Sequence, residues 1–360
     1  MKIEQSEIKD LKAVITLTLE PADYQEEVNK QLKQVRQKAQ MPGFRPGMVP
    51  AGLVKKMYGK GILADVLNKL VGENLQKHIE DNKLQILGDP LPNEEQEKID
   101  LDNADTFTFA FDIAVAPEFD AKLTAKNKLP EYTIEVTEEM IDKQVEAYAN
   151  RFGEYIPEDK EKGTKAEVKP CKVDAELFAK VYGAEAPKDK KAFRARVKED
   201  IKRSLSEESK YRFGIDAKAA IMKKLEKVAF PEDFLKRWVL ATNEKMTAEE
   251  LDKDFDKMLD ELKWHLAKDQ LMKEYNINVE KEEVEAFAKR IAKMQFMQYG
   301  LMNVEDEHLA NYATEMLKNE NQLRGIVERV VEDKIFEALK GVAKVEAKTV
   351  SQEDFDKLFK

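Results

Sequence analysis

Cysteine occurs once in the 360 residues, at Cys171, so no disulfide framework can form within the chain, and a reducing compartment fits. Glycine (14) and proline (12) are both scarce, which favours long helices over a loop-rich catalytic scaffold. No apolar run approaches the length of a membrane span, and Met1–Asp10 is too charged for a signal peptide. A soluble, cytoplasmic protein is the expectation. Histidine is limited to His78, His265 and His308, far apart in sequence, and no His/Cys spacing offers a metal site. Gly59-Lys60-Gly61 has neither the spacing nor the strand–helix setting of a phosphate loop. No catalytic residue, no metal and no cofactor are therefore expected.

What is present is charge: 37% of the residues are charged against 42% apolar, with a net charge of −10. That is too apolar for disorder, and it suits helices with much wetted surface. The length predicts two or three domains. Residues Leu11, Ala13, Ile15, Leu17 and Leu19 alternate, predicting a half-buried strand. A helix opening at Pro21 follows, with Tyr24, Val28, Leu32, Val35 and Ala39 on one face. A second helix begins at Pro50 and carries Leu53, Val54, Met57, Leu63, Val66, Leu67 and Val71 on its apolar face. Gly59 and Gly61 are expected to divide it. Phe107, Phe109, Phe111 and Ile113 mark a strong strand, and Tyr132–Val136 a short one. Between Pro157 and Lys172 there is almost nothing to bury, which reads as a linker. From Val173 onward the pattern is helical, with Thr247-Ala-Glu-Glu250 a capping box. An extended piece between Val342 and Val350 precedes a last helix capped by Ser351.

The average charge hides a local island. From Val28 to Ala64 there is no acid, but there are eight bases: Lys30, Lys33, Arg36, Lys38, Arg45, Lys55, Lys56 and Lys60. Such a patch in an acidic chain is the footprint of a phosphate-facing surface, or simply a solvated helix face. At its centre lies Gly43-Phe-Arg-Pro-Gly-Met-Val-Pro50, a loop fixed by its breakers whose aromatic and guanidinium can stack and pair.

This segment resembles the ribosome-binding signature of bacterial trigger factor, G-F-R-x-G-K-V-P, with Met48 in place of the usual lysine. The order of strand, helix, loop, long helix and Phe-rich strand ending in Ala-Pro-Glu-Phe119 is the family's. Val173–Gly183, the Phe230-Pro-Glu helix and the tail near Phe359 are similar to its C-terminal chaperone domain. The resemblance implies an α+β N-terminal domain followed by an elongated all-α C-terminal domain with helical arms. It divides the chain into a ribosome-binding domain (1–116), a connector (117–156), a linker (157–172) and a client-binding domain (173–360). The linker stands where family members carry a prolyl-isomerase domain and is far too short for one. The implied function is an ATP-independent chaperone docked at the ribosomal tunnel exit through Gly43, Phe44, Arg45, Pro46, Gly47, Lys38, Lys55 and Lys56. Its partners would be ribosomal protein and rRNA together with nascent and unfolded polypeptides. No membrane is expected, and there is room for a homodimer off the ribosome. A prolyl isomerase and an RNA-binding ribosome-assembly factor are the competing readings.

Eight of the 13 methionines lie at or after Met222. Met294, Phe296, Met297, Tyr299, Leu301 and Met302 cluster around Gly300. Methionine's flexibility suits a surface that accepts many side chains. By resemblance this turn is the tip of an arm and binds clients; core packing is the alternative.

Overall fold

A computed structural model of the chain describes residues 1–39, 42, 44, 48–96, 98–102, 105–156, 167–301 and 304–359. The elements run β1 (Lys2–Gln5), β2 (Lys12–Leu19), α1 (Pro21–Lys38), α2 (Ala51–Asp81), β3 (Leu91–Pro92), β4 (Phe107–Ala114), β5 (Lys128–Ile134) and α3 (Glu138–Arg151). After β6 (Glu154–Ile156) and β7 (Glu167–Lys169) come α4 (Ala175–Tyr182), α5 (Lys190–Leu225), α6 (Glu232–Thr242) and α7 (Ala248–Glu274). The chain ends with α8 (Lys281–Gln298), α9 (Asp306–Lys318), α10 (Glu320–Val342), β8 (Lys344–Val350) and α11 (Gln352–Asp356). The chain forms an α+β N-terminal region and a long helical C-terminal region. It divides into two compact units, Met1–Phe119 with Lys227–Leu259, and Asp120–Glu226 with Asp260–Lys360.

In the first unit four strands form an antiparallel sheet in the order β1-β2-β4-β3. Alternation in β2 sends Ala13, Ile15, Leu17 and Leu19 inward, and the register sets Leu17 opposite Phe109 and Leu19 opposite Phe107. Helices α1 and α2 cover this face, with Tyr24, Val28, Val66, Leu67 and Val71 packed on Leu19 and Phe107. The expected break at Gly59 and Gly61 is absent: α2 is one helix of 31 residues. Each glycine costs about 1 kcal/mol relative to alanine, but Val54, Ile62 and Val66 stay buried across the pair and hold the helix together. β1 has too few residues to show a period, and pairing with β2 creates it.

Helix α6 packs within this unit although it lies far along the chain from the sheet. Arg237 donates to Asp112 in β4 at 2.5 Å, and Asp112 also accepts from Asn93. Lys12 in β2 pairs with Asp233 at 2.5 Å. The indole of Trp238 lies so close to Gly88 that a Cβ there would stand 2.7 Å from the ring, and Gly88 has φ +72°. Only glycine meets both demands.

In the second unit, β5 and β8 pair in parallel, from Lys128 opposite Lys344 to Ile134 opposite Val350. Helix α5, 36 residues long, buries Phe193, Val197, Leu205, Phe213, Ala217 and Ile221. Near its start Phe193 stacks on Phe178 of α4, beside Ile141 and Val145 of α3. At Gly214 the helix meets Phe336 of α10 so closely that a Cβ would lie 2.7 Å from the ring. Trp264 donates its Nε1–H to Glu332 at 2.8 Å, and the buried Lys268 ammonium lies 3.5 Å from the same carboxylate. Such paired burial is how a charge is tolerated in a core. The flanks of the segment read as a linker are structured: β6 and β7 form an antiparallel ladder, and Cys171 donates its backbone N–H to Ala149.

Candidate functional site

The end of α1 and the start of α2 are tied together. Val49 and Val54 are buried with Ala39 against Leu32, Val35 and Leu53. Arg36 donates its Nε–H to the Val49 carbonyl at 2.8 Å. One of the eight bases therefore fastens the loop's exit. Two others are partly neutralised: Lys30 by Glu27 at 3.2 Å, and Lys60 by Asp102 at 2.7 Å, an acid from outside the acid-free stretch. Hydrogen bonding to Lys30 holds the Glu27 carboxyl below the usual range. Lys33, Lys38, Lys55 and Lys56 are exposed, without an ion pair among the described residues. Phe44 is 41% exposed. Gly43, Arg45, Pro46 and Gly47 lie outside the described residues. Met57, read from periodicity as part of the apolar face of α2, is instead exposed, as are Tyr58 and Met48. Exposed apolar side chains therefore accompany the free lysines of this stretch, which charge counting could not reveal.

The second surface lies where α8 ends. Its core-facing residues Val284, Ala288 and Ala292 are buried, with Leu309 and Ala313 of α9 and Ile326 of α10 also buried. Beyond Ala292 the apolar sequence continues but the cover does not. Met294, Met297, Tyr299 and Leu301 are 57%, 44%, 85% and 54% exposed. Gly300, at φ +90°, closes the helix: its N–H donates to Met297 O at 3.0 Å, and the Leu301 N–H to Phe296 O at 2.9 Å. This is the Schellman pattern, which needs a left-handed residue after the cap. The Arg151 guanidinium would come within 3.1 Å of a Cβ at this position. Phe296 is half-buried, edge-to-face on Tyr312 at 5.3 Å, and Tyr312 donates to Gln295 at 3.0 Å. Behind them a cavity of about 560 Å³ is lined by Phe296, Leu301, Val304, His308 and Tyr312. Lys289 pairs with Asp306 at 2.7 Å, clasping α8 to α9. Met302 lies outside the described residues.

The groups that could support catalysis are dispersed. His78 bonds Gln5 at 3.0 Å, His265 lies 3.7 Å from Asp269 on a helix surface, and His308 edges the cavity. Among the described residues no group of His, Cys, Asp and Glu is arranged to hold a metal ion, and no helix is long and apolar enough to cross a membrane.

The α+β unit thus carries an exposed Phe44 and unpaired lysines, and the helical unit an exposed apolar turn at the end of α8. Residues 1–148 match the family model for bacterial trigger factor protein, and residues 209–359 match that for the probable trigger factor C-terminal domain. The chain belongs to the trigger factor family. The trigger factor of Methylocella silvestris is 30% identical over 188 residues, 49% of this chain and 41% of that protein. That of Hyphomonas neptunium is 27% identical over 159 residues, 44% of this chain and 36% of its own. The chain thus spans about a third to two fifths of the length of these relatives. A solved structure of the trigger factor chaperone, described for promiscuous substrate recognition in folding and assembly, shares the fold with a TM-score of 0.50 at 15% identity. It covers 94% of this chain and 99% of its own. The two family matches leave residues 149–208 between them. The described part of that interval holds β6, β7, α4 and the start of α5, all within the second unit.

Proposed function

We propose that the chain is a molecular chaperone that works without ATP, docks at the ribosomal tunnel exit and shields unfolded polypeptide. The observation that carries the client-binding half is the exposure of Met294, Met297, Tyr299 and Leu301 on one helix end. Methionine and leucine supply adaptable apolar contact, and tyrosine supplies area at low entropic cost. Phe44, Lys38, Lys55 and Lys56, all exposed and close in sequence, support the docking half. Lysines of this kind neutralise phosphates, while the aromatic ring gives a fixed anchor. Gly43, Arg45, Pro46 and Gly47 join this surface by family resemblance. On this reading the protein is cytoplasmic and is not a prolyl isomerase.

Suppression of aggregation of a chemically denatured client, with and without ATP, tests the first half. Equal suppression in both conditions is expected, and no suppression at a several-fold excess of the protein would contradict it. Co-sedimentation with ribosomes at two salt concentrations tests the second. Binding should fall with salt along a log–log slope of about −2 to −4, as expected for three to four neutralised phosphates.

A further inference from the structure

A second concentration of positive charge lies at the start of α5. Between Lys188 and Lys198 there are six bases and one acid, in a chain whose net charge is −10. The acid, Asp189, is occupied as the helix cap, accepting from Ala192 N at 2.8 Å. Arg196 turns away to pair with Glu185 at 2.7 Å and lies over the Tyr182 ring. Lys190, Lys191, Arg194 and Lys198 line a groove of about 440 Å³ between α5 and α3. Its floor is Ile141 and Ala195, and its walls are Glu138 on one side and Lys190, Lys191, Arg194 and Lys198 on the other.

The acids on the facing helix do not neutralise the lysines. Glu139 is paired with Lys143 of its own helix at 2.8 Å, and Arg194 holds Glu138 at 2.8 Å and Asp142 at 2.5 Å. Those bonds raise the Arg194 pKa further and fix its guanidinium in the wall. Four cations against two carboxylates leave the groove positive, and Lys190, Lys191 and Lys198 have no carboxylate partner among the described residues. Lys190, Arg194 and Lys198 repeat every four residues, about 6 Å apart along the helix axis.

We infer that this groove binds the phosphate backbone of RNA. The free cations are all lysines, point charges that suit phosphate without demanding a fixed geometry. The forked guanidinium that would recognise a carboxylate is already engaged. The floor carries no aromatic ring on which a base could stack, so binding should not depend on sequence. The regular repeat of charge suits a polyanion better than a single ligand. This site is independent of the Phe44 loop, which belongs to the other unit.

Fluorescence anisotropy of a labelled 20-nucleotide polyuridylate, titrated with the full chain between 50 and 200 mM salt, tests the inference. Three phosphates neutralised on a single strand contribute a log–log slope of about −2. The triple variant K190E/K191E/K198E should bind at least about tenfold more weakly at the lowest salt and lose about two units of slope. The lysines are exposed, so its circular dichroism should be unchanged. The F44A variant should keep the RNA affinity while weakening ribosome co-sedimentation, which separates failure of this site from failure of the docking loop. An unchanged affinity and slope in the triple variant would overturn the inference. So would tighter binding of a polyglutamate peptide than of RNA of equal charge.

Discussion

Replacing Met294, Tyr299 and Leu301 together by serine probes the client surface while sparing the fold. Each is more than half exposed, so each gives up less than half of the 1.5–3 kcal/mol that full burial of such a side chain is worth. Their buried fractions together amount to about one full side chain, so the intramolecular loss is at most about 1.5–3 kcal/mol, confined to the C-terminal end of α8. For a unit of this size that lowers Tm by only a few degrees. The effect on a client is larger relative to its total. If each side chain is about one third buried against a fluctuating chain, the three contribute roughly 1.5–3 kcal/mol. Ordering the client cancels about half of that. The remaining ~1 kcal/mol corresponds to about a fivefold change in affinity. The assay is the concentration of protein that halves light scattering by a denatured client, read beside thermal unfolding followed at 222 nm. About five times more variant than parent should be required, with ribosome co-sedimentation unchanged. Full activity in the variant, or a Tm loss beyond about 10 °C, would refute the reasoning; the latter would mean that the cluster is core.

Arg36→Ala should release the loop's exit from Val49 and weaken ribosome binding several-fold, with helicity retained. Gly88→Val should destabilise the first unit by about 3 kcal/mol or more in thermal unfolding, because the new side chain must displace Trp238 and adopt a left-handed backbone. Asp333 is pushed up from the ordinary carboxylate range by desolvation, against the opposing pull of Arg290. Its folded form then holds a proton that the unfolded chain has lost. Its penalty on stability is therefore absent below the ordinary carboxylate pKa and grows as pH rises through the raised one. Asp333→Asn should raise stability slightly at neutral pH, by less than about 1 kcal/mol because the side chain is 61% exposed, read as a small rise in Tm that vanishes near pH 3.

Local periodicity made much of this fold legible. The alternation of Ala13 to Leu19 matches the burial of β2, and the Thr247–Glu250 capping box is present with both reciprocal bonds. Ser351 caps α11 as its position foretold. The features that escaped depend on distant partners. β5 and β8 are more than two hundred residues apart, and nothing in either run names the other. Helix α6 joins the first unit through ion pairs and a glycine–indole contact whose halves look unremarkable alone. Gly59 and Gly61 misled because breaker counting ignores the buried stripe that runs through them. At the candidate surfaces, residue types were readable but burial was not. Met57 belongs to the solvent side, and the apolar run ending α8 carries on past its own core. The groove of α5 was missed because a basic run at a helix start reads as an ordinary solvated face, and only the ion pairs of Arg194 reveal which charges stay free.

Site-directed photo-crosslinking tests the client surface most directly. A benzophenone side chain at position 299 should crosslink to an unfolded client held in complex. The same group at position 211, where Tyr211 is comparably exposed on α5, should crosslink far less. Equal yields at the two positions, or no adduct at 299 while aggregation is suppressed, would contradict the assignment of the α8–α9 turn as the surface that holds unfolded chains.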